Sequence, residues 1–199
     1  MNTKLEGKRV AILATDGFEQ SELVDPKKIL EGEGVECVVV SPKEGSIKGW
    51  KDKDWGDEVK VDLLLKDAKA ETFDALVLPG GQMNPDMLRG LPEVQAFVRA
   101  FAEAGKPIGA ICHGPWSLID AGIVKGRTVT SWPSIQTDLV NAGAKWVDKE
   151  VVVDMGLVTS RKPDDIPAFT RKVIEEMLEP SHANRGKNAN GVPASQPGL

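Results

Sequence analysis

The chain has 199 residues, of which 41% are hydrophobic, and this suits one α/β domain with a substantial core. Its 25 basic and 30 acidic residues give a net charge of −5, so electrostatics provide no preference for nucleic acid or an anionic membrane. The first seven residues lack a signal peptide's apolar segment, and no apolar run approaches the ~18 residues needed to span a bilayer. Two cysteines are too few for a secreted disulfide scaffold, so we expect a cytoplasmic protein.

Short apolar runs alternate with segments of helical period along the chain. In chain order, the predicted elements are a strand at 8–14, a helix at 19–33, strands at 35–40 and 73–78, a helix at 92–104, a strand at 106–111, a helix at 114–120, a strand at 128–131, a helix at 134–141, short strands at 146–147, 151–153 and 157–159, and a helix at 163–178. This alternation predicts a doubly wound α/β fold with a parallel sheet, formed as a single domain by residues 1–179.

Two segments depart from the alternation. Residues 45–62 are rich in Lys, Asp and Gly, and predict a hairpin or extended insertion that carries Trp50 and Trp55. These two side chains either form an interface or ligand rim, or cover the edge of the sheet. Residues 180–199 have almost no apolar content, and we expect a disordered tail.

The most informative segment is Ile108-Gly109-Ala110-Ile111-Cys112-His113-Gly114-Pro115, where a strand meets the start of a helix. Small residues on both sides of Cys112 permit a sharp, strained turn that would expose its side chain at the top of the sheet. A thiol close to a helix N-terminus is stabilised as thiolate, so we expect Cys112 to have a lowered pKa and to act as a nucleophile. His113 could add positive charge or act as general base, whereas Cys37 lies among valines and is expected in the core.

Two other segments should reach the same edge of the sheet. Gly80 and Gly81 end the third strand, and their backbone N–H groups could stabilise an oxyanion. Glu19 follows the first strand, where its carboxyl would face the crevice or simply favour a helix N-terminus.

At these residues the chain resembles the PfpI-type intracellular protease and deglycase family over roughly residues 8–178. The segments that carry the resemblance are Ala14-Thr15-Asp16-Gly17-Phe18-Glu19, Leu78-Pro79-Gly80-Gly81, Ala110-Ile111-Cys112-His113-Gly114-Pro115 and Asn141-Ala142-Gly143-Ala144-Lys145-Trp146-Val147-Asp148. The resemblance implies a flavodoxin-like sandwich, with helices on both faces of a mainly parallel central sheet. It also implies a homo-oligomer, at least a dimer.

The resemblance implies roles for the site residues as well. Cys112 would be the nucleophile, and Glu19, as a protonated acid, would hydrogen-bond its thiolate. His113 would be the catalytic histidine, oriented by a carboxylate of a neighbouring subunit, for which Asp86 in the loop after Pro79-Gly80-Gly81 is the candidate. The backbone N–H groups of Gly81 and His113 would form the oxyanion site.

The reaction stays open at this stage, because the family has been described as peptidase, as deglycase of methylglyoxal and glyoxal adducts, as glyoxalase and as stress chaperone. The leading hypothesis is a cofactor-free cysteine hydrolase acting as a stress-response deglycase or glyoxalase. Its alternatives are an intracellular cysteine peptidase, or a non-enzymatic chaperone or sensor whose Cys112 is oxidised. A glutamine amidotransferase would need a late catalytic His, whereas the chain has only His113 and His182. No His/Cys cluster has metal-ligand spacing, so no metal is expected.

Overall fold

A seven-stranded, mainly parallel sheet runs through the computed structural model, which describes residues 5–179. The strands are β1 (Arg9–Leu13), β2 (Phe18–Glu19), β3 (Glu36–Ser41), β4 (Ser46–Lys51), β5 (Asp54–Lys60), β6 (Leu63–Leu64), β7 (Ala75–Leu78), β8 (Ile108–Ile111), β9 (Thr128–Val129), β10 (Lys145–Trp146), β11 (Val151–Asp154) and β12 (Leu157–Ser160). The helices are α1 (Gln20–Gly32), α2 (Met83–Arg89), α3 (Pro92–Glu103), α4 (Pro115–Asp120), α5 (Gln136–Asn141) and α6 (Ile166–Leu178).

The strand order of the large sheet is β11-β12-β8-β7-β1-β3-β6, and every neighbouring pair is parallel except β11 and β12. The chain moves from β1 outwards to β3 and then returns to β7 on the other side of β1. This reversal creates a crevice at the carboxyl ends of β1 and β7, the place where open α/β sheets bind ligands. The predicted α/β fold with a mainly parallel sheet is confirmed.

The central strands are buried on both faces, which explains why they read as continuous apolar runs. In β1, Val10 and Ile12 join one hydrophobic cluster with α1 and α6, whereas Ala11 and Leu13 join another with α3, α4 and α5. This two-residue alternation follows from the pleat of the strand. The helices therefore form two layers with the sheet between them.

The helix α3 illustrates how the sequence produces these layers. Val94, Phe97, Val98 and Phe101 follow the i, i+3, i+4, i+7 spacing and form its buried side. Pro92 occupies the first turn, where its missing N–H costs no hydrogen bond. The helix α2, by contrast, was not expected from the sequence, which predicted a loop after Pro79-Gly80-Gly81.

The insertion after β3 is a hairpin of β4 and β5, as predicted, and β2 pairs with β4 to give a separate three-stranded sheet. Asp52 and Lys53 both have positive φ, of 50° and 70°, as a two-residue hairpin turn requires. The rings of Trp50 and Trp55 pack edge to face with centroids 5.5 Å apart, and Trp55 is exposed. The roles of Trp50 and Trp55 stay predictions.

The expected disordered tail at 180–199 lies outside the described residues. Within residues 5–179, no helix is both long and apolar enough to cross a membrane.

Candidate active site

The crevice at the carboxyl ends of β1, β7 and β8 holds the residues that the sequence singled out. Cys112 follows β8 directly, and Pro79-Gly80-Gly81 follows β7. Gly81 passes so close to the loop after β1 that a Cβ atom there would lie 2.3 Å from the Gly17 carbonyl oxygen. This close approach brings the two loops together beside Cys112.

Cys112 has a φ of 62°, in the left-handed region that a side chain adopts only under strain. Its N–H donates to the Ser160 carbonyl at 3.0 Å, and its carbonyl accepts the Trp132 N–H at 2.9 Å. Gly114 completes the turn, since a Cβ atom there would lie 2.5 Å from the Leu78 carbonyl oxygen. These contacts hold the strained elbow that the sequence predicted.

The carboxyl group beside the thiol belongs to Glu22, which is fully buried on α1 and was not identified from the sequence. Its Oε2 accepts the Gly80 N–H at 2.8 Å, and the carboxyl group is electrostatically coupled to the Cys112 thiol, so that each affects the pKa of the other. Burial raises the pKa of Glu22 to about 8, helped by the nearby charge of Glu19. At neutral pH Glu22 is therefore mostly protonated and can donate a hydrogen bond to the sulfur.

The expectation placed on Glu19 therefore shifts to Glu22. Glu19 is the last residue of β2 and the N-cap of α1, and its side chain is half-buried. Its Oε1 accepts a hydrogen bond from the Ser21 hydroxyl at 3.3 Å, and partial burial raises its pKa. Glu22 lies almost one turn further along α1 and faces inwards, which is why it reaches the thiol.

The two glycines after β7 have different roles. The backbone N–H groups of Gly81, whose φ is 75°, and of His113 stabilise the Cys112 thiolate and so act to lower the pKa of the thiol. The Gly80 N–H donates to Glu22, so a role of Gly80 in the oxyanion site would need this bond to be exchanged and stays a prediction. Gly80 is nevertheless sterically required, because a Cβ atom there would lie 2.7 Å from the Cys112 Cβ.

The sequence-based expectation of a lowered thiol pKa does not hold in the described subunit. Burial raises the pKa of Cys112, which is 8% exposed, and the charge of Glu22 adds to this whenever Glu22 is ionised. The N–H groups of His113 and Gly81 act in the opposite direction by stabilising the thiolate. The helix contributes little, since α4 spans only six residues and begins three residues beyond Cys112.

His113 lies directly beside the thiol. Its Nδ1 is 3.2 Å from the Cys112 sulfur, and its Nε2 is 3.3 Å from the Ser134 hydroxyl oxygen. The ring packs edge to face on Trp116 and stacks against Trp132, with centroid distances of 5.2 and 6.3 Å. Burial lowers the pKa of His113, so the imidazole is neutral at physiological pH and can accept a proton.

Asp86 lies in the first turn of α2, not in a loop, and its side chain is exposed. Two exposed methionines, Met83 and Met87, flank it on the same helix. The His113 nitrogen that an orienting carboxylate would contact is occupied by Ser134 within the subunit. A role for Asp86 in orienting His113 from a second subunit stays a prediction.

Three polar residues of the site escaped the sequence analysis: Glu22, Asn84 and Ser134. Asn84 is fully buried, accepts the Thr15 N–H at 2.7 Å and donates to the Pro79 and Gly80 carbonyls. A signal existed for Glu22, because a carboxyl group sits in the apolar stripe of α1. Asn84 and Ser134 gave no such signal, since their contacts depend on how loops meet across the sheet.

Taken together, the site places one thiol among a neutral imidazole, a buried carboxylic acid and two convergent backbone N–H groups. This arrangement suits attack of sulfur on a carbonyl carbon, where the N–H groups would stabilise the oxyanion, or displacement of the amine from a hemiaminal carbon, where the C–N bond breaks as the C–S bond forms. Across residues 5–179, no three His, Cys, Asp or Glu side chains are grouped so that they could hold a metal ion.

Comparison with known proteins gives consistent results. Residues 8–176 match the model of the DJ-1/PfpI family. "Putative cysteine protease YraA" of Bacillus subtilis is 44% identical over 167 residues, covering 84% of this chain and 96% of that protein. "Protein/nucleic acid deglycase 2" of Escherichia coli is 43% identical over 169 residues, covering 84% and 96%.

Among solved structures, a two-domain protein of Anabaena variabilis with DJ-1/ThiJ/PfpI-like and ferritin-like domains superposes with a TM-score of 0.81 at 36% identity. The match covers 89% of this chain and 51% of that longer chain. The likeness therefore concerns the DJ-1/ThiJ/PfpI-like fold.

Proposed function

The chain belongs to the DJ-1/PfpI family, and on that premise we propose that it is a cysteine-dependent deglycase that acts on methylglyoxal- or glyoxal-modified groups. The names of its relatives support an enzyme, since one is a deglycase and another is named for cysteine protease activity. The observation that carries the proposal is the strained elbow at Cys112, whose φ is 62° and whose sulfur lies 3.2 Å from His113 Nδ1.

The proposed chemistry begins when the Cys112 sulfur displaces the amine from the aldehyde-derived carbon of the adduct: the C–S bond forms as the C–N bond breaks. His113 Nδ1, 3.2 Å from the sulfur, takes the thiol proton and passes it to the leaving amine. Proton transfer between the two substrate carbons then converts the hemithioacetal into a thioester, with the Gly81 and His113 N–H groups stabilising negative charge on the substrate oxygen, and water hydrolyses the thioester to lactate and the free thiol. Protonated Glu22 supports the sulfur by hydrogen bonding, in the role that the sequence assigned to Glu19.

The overall reaction balances without a cofactor. A hemiaminal of methylglyoxal and an amine reacts with one water to give the free amine and lactate. The aldehyde-derived carbon is oxidised to a carboxyl while the adjacent ketone is reduced to a hydroxyl, so no external oxidant or reductant is consumed.

The test uses methylglyoxal adducts of N-acetylarginine and N-acetylcysteine, with lactate and the released amino acid measured together by chromatography. Free methylglyoxal is held constant while the adduct concentration is varied. A deglycase gives a rate that rises with the adduct, and Cys112→Ser gives none. A rate that follows only free methylglyoxal would make the protein a glyoxalase and contradict the deglycase proposal.

A peptidase is the second candidate, favoured by the name of the Bacillus subtilis relative. It uses the same nucleophile with a different leaving group. Cleavage of unmodified casein that is lost in Cys112→Ser would support it, and we rank it below the deglycase because Cys112 is 8% exposed and a folded peptide backbone would have to reach it.

We further propose that the protein works in the cytoplasm as a homo-oligomer and responds to carbonyl stress. The exposed face of α2, with Met83, Asp86 and Met87, supports an interface with a second copy. Size-exclusion chromatography with light scattering tests this assembly, and a monomer at micromolar concentration would contradict it.

A further inference from the structure

The loop after β1 lies between the β4–β5 hairpin and the two glycines that follow β7. Gly81 packs against the backbone of this loop, so that a Cβ atom there would lie 2.3 Å from the Gly17 carbonyl oxygen and 2.6 Å from the Glu19 nitrogen. The Glu19 N–H also donates to the Gly80 carbonyl at 3.3 Å. The position of Gly81 therefore depends on what holds the loop after β1 in place.

Asp16 joins this loop to the hairpin through both of its carboxylate oxygens. Its Oδ1 accepts the Lys48 backbone N–H at 2.7 Å, and its Oδ2 accepts a hydrogen bond from the Lys43 ammonium at 2.7 Å. The next residue completes the joint, because the Gly17 N–H donates to the Lys48 carbonyl at 2.8 Å. The loop is therefore held by β4 on one side while Gly81 packs against it on the other.

We propose that Asp16 is a positioning residue that ties the β4–β5 hairpin to the loop after β1 and so holds the Gly81 N–H where it stabilises the Cys112 thiolate. Asp16 acts through the Gly17 backbone, which Gly81 contacts directly. The Gly81 N–H acts to lower the pKa of the buried thiol, and a hydrogen bond to a charged acceptor depends on its length and angle. A loop that is free to shift would weaken this bond.

The two bonds of Asp16 contribute differently to this role. The Lys43 ammonium is half-exposed, and an ion pair with such a partner contributes little to stability. The bond to the Lys48 N–H is partly buried and joins segments of the chain 32 residues apart. Asp16→Asn separates the two bonds, because its amide oxygen can still accept the Lys48 N–H but cannot form an ion pair with Lys43.

The inference rests on the proposed function only where it concerns turnover, and its test needs no adduct as substrate. The rate of Cys112 alkylation by iodoacetamide is measured between pH 6 and pH 9 by peptide mass spectrometry, which separates Cys112 from Cys37. The proteins compared are the wild type, Asp16→Ala, Asp16→Asn and Lys43→Ala. Thermal unfolding of each protein measures the purely structural loss.

Asp62→Ala is the matched control for the loss of a carboxylate that accepts a backbone N–H. The Asp62 Oδ2 accepts the Val39 N–H at 2.9 Å, and this bond is also partly buried. It lies between β3 and the segment before β6, at the edge of the large sheet remote from β7 and β8. Asp62→Ala should therefore lose stability without changing the reactivity of Cys112.

We expect Asp16→Ala to be alkylated about three- to tenfold more slowly than the wild type, because part of a charge-assisted hydrogen bond to the thiolate is lost. Asp16→Asn and Lys43→Ala should stay within about twofold of the wild type. In adduct turnover, the loss in Asp16→Ala should appear in kcat rather than in KM, since the Gly81 N–H acts on charge that develops during the reaction.

A wild-type alkylation profile in Asp16→Ala would overturn the proposal. Equal slowing in Asp62→Ala would also overturn it, because the effect would then come from a general loosening of the fold. If Asp16→Ala does not fold, Asp16→Ser replaces it with the same expected slowing, since its side chain is shorter than that of aspartate. A wild type that is alkylated as expected but turns over no adduct would contradict the proposed function alone, and the alkylation rates of the variants would still decide the role of Asp16.

Discussion

Replacing Glu22 with Gln should remove a pH dependence of stability that this one carboxyl group imposes. The folded protein raises the pKa of Glu22 from 4.5 to about 8, with burial as the main cause. A carboxyl group with a raised pKa binds its proton more tightly in the folded than in the unfolded chain. Its stabilising contribution is therefore fully present below about pH 4.5 and is lost as the pH rises through about 8.

The size of this effect follows from the same two values. Between pH 6 and pH 9 the wild type should lose about 3 kcal/mol of unfolding free energy through Glu22, which corresponds to a melting temperature lower by roughly 6–12 °C. Glu22→Gln keeps an acceptor for the Gly80 N–H but cannot ionise. The unfolding free energy of Glu22→Gln should therefore fall much less between pH 6 and pH 9. Measured relative to its own value at pH 6, the unfolding free energy at pH 9 should be higher for Glu22→Gln than for the wild type.

The assay is thermal and urea unfolding of both proteins at fixed protein concentration between pH 5.5 and 9. Glu103→Gln is the matched control, because the Glu103 side chain is exposed on α3. Removing this carboxyl group should leave the pH dependence of the unfolding free energy as in the wild type. The Glu22-dependent slope should persist in a Cys112→Ala background, since burial rather than the thiol is its first cause. Parallel pH curves for the wild type and Glu22→Gln would refute the reasoning.

Three more outcomes are expected at the site. Cys112→Ala should abolish activity and leave the fold intact. In urea unfolding, Cys112→Gly should be about 1 kcal/mol more stable than Cys112→Ala, because glycine accepts a φ of 62° without strain. Equal stabilities of the two variants would mean that the elbow is not strained. Gly80→Ala should lose activity and about 2 kcal/mol of stability, because the added Cβ atom would lie 2.7 Å from the Cys112 Cβ and the Glu22 Oε2 atoms. The control Gly32→Ala has open space around its Cβ position and should change stability by less than about 1 kcal/mol. A stable, active Gly80→Ala protein would show that the crevice can widen. Mixing Cys112→Ala with Asp86→Ala should restore part of the activity if Asp86 works across a subunit interface, and no recovery despite subunit exchange, followed by native mass spectrometry, would argue against that arrangement.

The elbow could be read from the sequence because it is encoded within a few consecutive residues. Gly114 is needed where the chain meets the Leu78 carbonyl, and Cys112 stands at the end of an apolar strand. The buried side of a helix also follows from a local pattern, such as the i, i+3, i+4, i+7 spacing on α3. Local sequence was sufficient wherever neighbours along the chain set the geometry.

The errors arose where geometry depends on contacts distant in sequence. Glu19 and Glu22 differ by less than one helical turn, and only the packing of α1 on the sheet decides which carboxyl group faces Cys112. Gly80 and Gly81 are adjacent, yet the Gly80 N–H is bonded to Glu22 whereas the Gly81 N–H acts to lower the pKa of the Cys112 thiol. The thiol pKa was misjudged because the sequence shows a helix start but not the depth of burial.

The depth of the Cys112 sulfur also determines which adducts it can reach. Loops after β1 and β7 crowd the elbow, as the short distances around Gly80 and Gly81 show. If the protein is a deglycase, as proposed, adducts on lysine or arginine should reach the sulfur most readily, because the long aliphatic chains of these residues carry the adduct away from the backbone. We therefore expect a protein adduct on a short side chain to react more slowly than one on lysine or arginine.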